Sequence, residues 1–377
     1  MSSRKPHIII AAGGTGGHVY PAIAIADALV GLNPDTKITF VGTRTRMEWT
    51  AVPDAGYPIK SIWISGIHRR LTLKNLIFPL RLLVSIWQSF RLIKKEKPDA
   101  VISCGGFAAG PVSWVAGKMG IPLFIQEQNS FPGLTNRRLA SKAVKIFTAF
   151  DDAAEYFPKD RVKNLGNPTR HALGQADRKS SAKYFQFDRE KKTLLIIGGS
   201  GGAKSINDAM IANIEKLHNE LGLQIIWQCG PNYYNEMIQE IDVKAYKNLR
   251  LEAFIERMDY AYGASDLAIS RAGAISCAEL MLLGKPTIMI PSPNVAGDHQ
   301  RKNAASMVKA GAAVLVEDKF ASRDLYQVVA ETINDDDKLE MMAKSADSLA
   351  QPEAAGHIAE EILASMGLKK VESEVAV

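Results

Sequence analysis

One local pattern occurs twice in this chain. Ile8-Ile-Ile-Ala-Ala-Gly-Gly-Thr-Gly-Gly-His18 and Leu194-Leu-Ile-Ile-Gly-Gly-Ser-Gly-Gly-Ala203 each read as an apolar strand, a Gly-Gly-(Thr/Ser)-Gly-Gly turn and the start of a helix. A turn of that composition admits positive φ and close backbone approach, which a side chain would obstruct. Its N–H groups, with the helix N-terminus that follows, make a cradle for an anion. A third such turn, Gly105–Gly110, follows the apolar run Ala100–Ser103. Three turns after three expected strands point to phosphate-bearing ligands rather than to helix–sheet packing alone.

The rest of the chain keeps the same rhythm. Expected strands lie at His7–Ala11, Lys37–Val41, Pro58–Ile64, Ala100–Ser103, Pro122–Gln126 and Lys145–Thr148, with helical patterns at Pro21–Val30, Leu73–Lys95 and Gly110–Lys118 between them. The rhythm lapses at Gly166-Asn-Pro168 and over the polar stretch Gln175–Lys192, read as a linker plus the start of a second domain. It resumes with strands at Thr193–Ile197, Gln224–Gln228, Asn248–Leu251, Leu267–Ser270, Pro286–Ile290 and Ala312–Val316. The nearly continuous apolar runs suit parallel strands covered on both faces. The expectation is an α/β protein of two doubly wound domains, 1–168 and 169–350, with a final helix near 353–366 packing back on the first.

Composition removes other classes. With 377 residues, 46% apolar and 23% charged, the chain is neither disordered nor fibrous. Its three cysteines, Cys104, Cys229 and Cys277, are too few and too scattered for a disulfide framework, so a reducing cytosol is the default. No secretory signal is visible, and the charge-free stretches Pro6–Ala26 and Ala100–Gly117 are too broken by Gly or Pro for a membrane span. The net charge of +6 hides an asymmetry: residues 1–150 hold 19 basic and 7 acidic residues, whereas 201–377 hold 17 and 26. One half therefore suits an anionic surface.

Two nucleotide motifs fail. The dinucleotide fingerprint meets Val19 and Lys204 where Gly or Ala is needed, and the Walker A pattern meets Ala203 in place of its last glycine. Asp335–Asp337 is the one D-x-D pattern and reads as helix capping, so no metal and no cofactor is expected.

Several residues carry candidate chemistry. His18 stands at a helix start, where the helix end disfavours an added positive charge. The neutral ring could accept a proton, or His18 could merely cap the turn or touch phosphate. Ser270-Arg-Ala-Gly-Ala-Ile-Ser-Cys-Ala-Glu279 follows a strand: its amides and Arg271 suit an anion, and Glu279 suits a ribose diol. The loop Pro291–Gln300 lies where such folds line ligand crevices. The segment Ile62–Lys97, with Lys60 just before it, mixes nine Lys and Arg residues with Leu, Ile, Trp and Phe. Its helix is expected to pack the face Leu76, Leu80, Leu83, Trp87 and Phe90 on the sheet. The preceding loop, with Ile67, Arg69, Arg70 and Leu71, is expected to meet a membrane. No nucleic-acid motif is present.

Gly13-Gly-Thr-Gly-Gly-His18 with Pro21, Gly105-Gly-Phe107 with Gly110-Pro111, Glu127-Gln-Asn129 with Gly133-Leu-Thr-Asn136, Gly166-Asn-Pro168 with Arg170, Gly198-Gly-Ser200, and Ser270-Arg-Ala-Gly-Ala274 with Glu279 occur in this order. Together, from about residue 7 to 365, they resemble the MurG family, peripheral-membrane N-acetylglucosaminyltransferases of bacterial peptidoglycan synthesis. The resemblance implies a GT-B fold, two Rossmann-like domains facing a cleft. It implies transfer of GlcNAc from UDP-GlcNAc to the C4 hydroxyl of the muramyl sugar of undecaprenyl-pyrophosphoryl-MurNAc-pentapeptide (lipid I), with inversion, giving lipid II. The donor would be held by Ser200, the Ile255 backbone, Arg271, the amides of Ala274, Ile275 and Ser276, Glu279 and Gln300, with Arg170, Thr15, Gly16, Gly17 and Asn129 completing the site. Gly105 and Gly106 would serve the acceptor. His18 would be the general base, with Glu127 the alternative carboxylate. The implied partners are UDP-GlcNAc, lipid I and an anionic membrane at the cytoplasmic face, with room for cell-wall synthesis proteins. The sequence departs from the family in carrying Gln126 where many members have His. The rival readings are another GT-B enzyme, such as a UDP-GlcNAc 2-epimerase or a different lipid glycosyltransferase, and a non-catalytic membrane scaffold.

Overall fold

Two parallel sheets organise the chain, each built outward from the strand that precedes a paired-glycine turn. The structure, a computed structural model, describes residues 5–66, 76–169 and 176–368. The chain divides into two units, one running to Thr169 and resuming at Gln351, the other spanning 170–350.

In the first unit the strands are β1 (His7–Ala11), β2 (Lys37–Gly42), β3 (Ile59–Ser61), β4 (Ala100–Ser103), β5 (Leu123–Glu127), β6 (Lys145–Thr148) and β7 (Val162–Asn164). Their order across the sheet is β3-β2-β1-β4-β5-β6-β7. Ile8 pairs with Ile38 of β2 on one side and Ala100 of β4 on the other, both in parallel register. The chain therefore reverses its direction of growth between β1 and β4, and the loops that leave their carboxyl ends part to either side. Ligand crevices of open α/β sheets lie at such a switch point. It falls where the turns Gly13–Gly17 and Gly105–Gly110 stand.

The second unit repeats the arrangement with β8 (Thr193–Ile197), β9 (Gln224–Gln228), β10 (Leu249–Glu252), β11 (Leu267–Ser270), β12 (Thr287–Met289) and β13 (Ala313–Leu315). The order is β10-β9-β8-β11-β12-β13. Its switch point lies between β8 and β11, at Gly198–Gly202 and Arg271–Ala274. The central strands β1, β4, β8 and β11 are buried throughout, as two-sided coverage by helices requires.

The polar stretch before β8 contains a helix for which the sequence shows no period. A helix forms over Arg178–Phe185, its N-terminus capped by the Asp177 carboxylate, which accepts from Ser180 N at 2.8 Å. Arg178 then reaches Asp266 and the carbonyls of Ala264 and Lys191. Asp335 caps the helix Asp336–Ser348 in the expected way, accepting from Lys338 N at 2.9 Å.

The last helix, Ala354–Ser365, belongs to the first unit. Ile358, Ala359, Ile362 and Leu363 share a core with Val19, Ala22, Ile25 and Leu29 of the helix Gly16–Leu32. Glu361 fastens it by accepting from Lys145 of β6 and from Lys163 of β7, the latter at 2.6 Å. Those two ammonium groups, Lys145 first, hold the Glu361 carboxyl below the usual carboxylate range. A depressed carboxyl contributes stability above its unfolded pKa and loses it as pH falls through the lower folded value. Glu361→Gln is thus expected to cost about 1 kcal/mol at pH 7. The gap to the native protein should close below about pH 4 in thermal melts across pH.

The helix Phe78–Glu96 overturns one expectation. Its inward face carries Ser85, Ser89 and Ile93, while Leu80, Leu83, Trp87 and Phe90 stand largely in solvent, Leu83 at 67% and Trp87 at 54% exposure. The serines allow close packing and satisfy themselves within the helix, Ser89 Oγ donating to Ser85 O at 2.7 Å and Ser85 Oγ to Leu82 O at 2.8 Å. The apolar stripe is therefore not the core face.

Candidate active site

At the first switch point, two glycine turns meet backbone to backbone. A β-carbon on Gly106, at φ +80°, would lie 2.1 Å from the Gly13 carbonyl oxygen. No side chain fits there, which is why the motif is paired glycines. The Gly13–Gly17 turn is held from beneath by Glu48, a residue with no motif to mark it. Its fully buried carboxylate accepts from Gly14 N at 3.1 Å, Thr43 N at 3.0 Å and Thr43 Oγ1 at 2.8 Å. Three donors satisfy a charge that burial would otherwise make costly.

The turn opens into the helix Gly16–Leu32, with Thr15 as N-cap, its carbonyl accepting from His18 N and Val19 N. Gly16 and Gly17 form the helix start, and His18 sits in its first turn, half-buried. The His18 ring lies against Gly105, where a β-carbon would come within 3.0 Å of its Nδ1. The same Nδ1 is 3.0 Å from Gln128 Oε1.

Glu127, at the end of β5, is buried and engaged with its own loop. It accepts from Asn129 N at 3.1 Å, Gly133 N at 3.0 Å and Asn136 Nδ2 at 2.9 Å. Both oxygens are engaged, so Glu127 shapes the Glu127–Asn136 loop and through it the place of Asn129.

In the second unit the Gly198–Gly202 turn is packed as tightly. A β-carbon on Gly202, at φ +78°, would lie 2.0 Å from the Cys229 carbonyl oxygen. Ser200 is exposed at the turn's tip. Gln228, at the end of β9, donates to Gly199 O at 3.0 Å and accepts from Ile255 N at 2.9 Å. The Ile255 N–H, expected to read a base edge, is therefore held by Gln228.

The helix Ala274–Leu282 starts at the end of β11 with Gly273 as its N-cap. The amides of Ala274, Ile275 and Ser276 make up its positive end. Glu279, half-buried one turn on, accepts from Tyr262 OH at 3.0 Å. The Arg271 guanidinium pairs with Asp318 and donates to Ile290 O at 2.9 Å and Ser205 Oγ at 2.7 Å, which fixes it beside the turn within its own unit. Gln300 Oε1 accepts from Ser292 N at 2.8 Å and Asn303 donates to Ala272 O at 3.1 Å, closing the Pro291–Gln300 loop over the strand ends. Arg170, and the loop residues Ile67, Arg69, Arg70 and Leu71, lie outside the described residues.

Glu48, Gln228 and Asp318, and the contact of the motif residue Gln128 with His18, escape sequence reasoning, because each acts on a motif far away in the chain.

Two family models match, the glycosyltransferase family 28 N-terminal domain over residues 8–148 and its C-terminal domain over residues 193–360. The fold and the two glycine-built switch points are thus those of a family 28 glycosyltransferase. A relative from Flavobacterium psychrophilum, named UDP-N-acetylglucosamine–N-acetylmuramyl-(pentapeptide) pyrophosphoryl-undecaprenol N-acetylglucosamine transferase, is 45% identical over 97% of this chain and 98% of its own. A protein of the same name from Salinibacter ruber is 42% identical over 97% and 98%. The crystal structure of MurG from Acinetobacter baumannii superposes with a TM-score of 0.76 at 30% identity, covering 95% of this chain and 99% of that one. The chain belongs to the MurG family. A UDP-GlcNAc 2-epimerase from Neisseria meningitidis, 18% identical with a TM-score of 0.67 over 95% of this chain and all of that one, shares the fold alone.

Proposed function

We propose that this protein transfers GlcNAc from UDP-GlcNAc to the C4 hydroxyl of the muramyl sugar of lipid I, with inversion, forming lipid II for peptidoglycan synthesis. The observation that carries this reading is the match to the transferases so named across nearly the whole chain, with the motif residues gathered at both switch points. The first unit takes the acceptor and the second takes UDP-GlcNAc. His18 removes the proton of the acceptor hydroxyl as it attacks the anomeric carbon. Glu127, with both oxygens engaged, orders its loop instead. In the second unit Glu279 receives the ribose hydroxyls, and the amides of Ala274, Ile275 and Ser276, with Ser200, meet the diphosphate. Ile255 reads the uracil once Gln228 releases its N–H. Gln300 contacts the sugar, and Thr15, Gly16, Gly17, Asn129 and Arg170 complete the donor site.

The test is incubation with labelled UDP-GlcNAc, with and without a lipid I analogue. Label should enter the lipid extract only when acceptor is present, and UDP-GalNAc should give far less. Formation of an epimerised sugar nucleotide without acceptor would favour the epimerase reading.

The membrane partner belongs to the first unit. No helix among the described residues is long and apolar enough to cross a bilayer. The exposed stripe Leu80, Leu83, Trp87 and Phe90 instead continues onto Trp114 of the helix Ala109–Lys118 and Met119 just after it, around a cavity of about 560 Å³. Lys118 and Lys142 flank Trp114, and Arg91 lies over Trp87. Aromatic and aliphatic groups rimmed by cations suit the anionic face of a bilayer. The proposed attachment is peripheral, at the cytoplasmic face, with this helix surface as the contact. Changing Trp87 and Phe90 together to Glu is expected to weaken binding to phosphatidylglycerol vesicles at least about tenfold in flotation. Soluble turnover with a short-chain acceptor should persist. Unchanged flotation would move the contact elsewhere, Ile67–Leu71 being the next segment to change.

A further inference from the structure

Beside His18, three buried amide side chains form a hydrogen-bonded chain whose direction is fixed at both ends. Asn167 Nδ2 donates to the backbone carbonyl of Gln128 at 2.9 Å, so its Oδ1 is the atom that accepts from Gln126 Nε2 at 3.1 Å. The Gln126 Oε1 is thereby turned to Gln128, whose Nε2 donates to it and, at 2.8 Å, to the backbone carbonyl of Cys104. Backbone carbonyls only accept, so no amide in the chain can be reversed without setting oxygen against oxygen. Gln126 and Gln128 are fully buried and Asn167 nearly so, where an unmatched amide is most costly. The atom left facing His18 Nδ1, at 3.0 Å, is Gln128 Oε1. An amide oxygen requires a donor there, so Nδ1 carries the ring proton and the neutral imidazole keeps its lone pair on Nε2.

We infer that Gln128 is a positioning residue for the transfer, holding neutral His18 in the Nδ1–H tautomer so that Nε2 is the atom that takes the acceptor's proton. The inference rests on His18 being the base and states which nitrogen acts and what sets it. As the C4 oxygen bonds to the anomeric carbon, the bond from that carbon to the UDP oxygen breaks and its electron pair leaves with UDP. The hydroxyl proton passes to Nε2. The imidazolium so formed still donates Nδ1–H to Gln128 Oε1, so the amide chain stays satisfied before and after the step. Cys104 and Gly105, consecutive at the end of β4, supply the carbonyl that anchors Gln128 and the glycine against which the ring lies. This ties the second glycine turn to the base.

The test begins with the unaltered protein labelled with ¹⁵N-histidine, the His18 signals being identified by their loss in His18→Ala. At a pH where the ring is neutral, Nδ1 should resonate as a protonated nitrogen and Nε2 as an unprotonated one. Gln128→Leu, which cannot accept, should lose this preference and lower kcat about 10²-fold with the UDP-GlcNAc KM nearly unchanged. Gln128→Glu keeps an acceptor oxygen toward Nδ1 and should keep the Nδ1–H tautomer, while its other oxygen, facing the Cys104 carbonyl and Gln126 Oε1, should lower the melting temperature. A native His18 protonated on Nε2 overturns the inference, and so does a folded Gln128→Leu protein with native kcat. The native spectrum needs no variant, so a poorly folding substitution does not shield the inference. The two layers separate cleanly. An Nε2–H spectrum with kcat collapsed in His18→Ala overturns the tautomer and leaves the base. An Nδ1–H spectrum with native kcat in His18→Ala overturns the base, and with it the catalytic role of Gln128.

Discussion

His18→Ala is expected to lower kcat for transfer to a lipid I analogue by about 10²–10⁴-fold. The KM for UDP-GlcNAc should move little, because His18 belongs to the first unit and the residues assigned to the nucleotide belong mainly to the second. An interaction made only as the proton moves lowers kcat and kcat/KM together, which distinguishes a base from a binding residue. The side chain is half-buried against Gly105, and its removal leaves the Glu48-braced turn and the amide chain in place. The variant should therefore fold, melting lower only by the loss of the donor to Gln128 Oε1. Steady-state kinetics with both substrates varied decide the matter. A raised UDP-GlcNAc KM at native kcat would make His18 a donor contact instead.

The second large effect is expected at Gly202. Adding a methyl there places carbon 2.0 Å from a backbone carbonyl oxygen at a φ of +78°, where neither neighbour is a side chain that can swing aside. Gly202→Ala should cost at least about 2 kcal/mol of stability through overpacking and backbone strain together. It should also abolish UDP binding by moving the turn away from the end of β9. Gly199, three residues earlier, has the same sign of φ, +88°, but open space within 4 Å of the added carbon. Gly199→Ala should thus cost about 1 kcal/mol. Calorimetric melting and UDP titration of the pair separate crowding from conformational strain. Equal effects at both positions would contradict this packing account.

The strands and glycine turns are legible in the sequence because each is a local signal. A β-branched run such as Ile8–Ile10 can hardly be anything but a buried strand, and paired glycines after it announce a backbone contact. The two units are legible for the same reason, since the pattern restarts at Thr193. Periodicity shows that the helix Phe78–Glu96 has an apolar stripe but not what covers it. Here Ser85 and Ser89 take the inward face, and the stripe is left outside. The helix Arg178–Phe185 is too polar to show a period and depends on the Asp177 cap and on Asp266 far along the chain. The site is legible in its motifs and not in their supports. Glu48 beneath Gly14, Gln128 behind His18, Gln228 between Gly199 and Ile255, and Asp318 on Arg271 are side chains brought from other strands and helices. Arg271 shows the consequence: its place in a phosphate-like motif suggests a ligand contact, and a partner 47 residues away fixes its guanidinium.

The identity of the product tests the proposed transfer most directly. The protein, supplied with UDP-[¹⁴C]GlcNAc and a lipid I analogue, should yield a labelled lipid whose new bond is a β-linkage to the muramyl C4 oxygen. The starting donor is an α-linked sugar nucleotide, so that anomer reports inversion. An α-linked product, attachment at another hydroxyl, or conversion of UDP-GlcNAc in the absence of the lipid would contradict it.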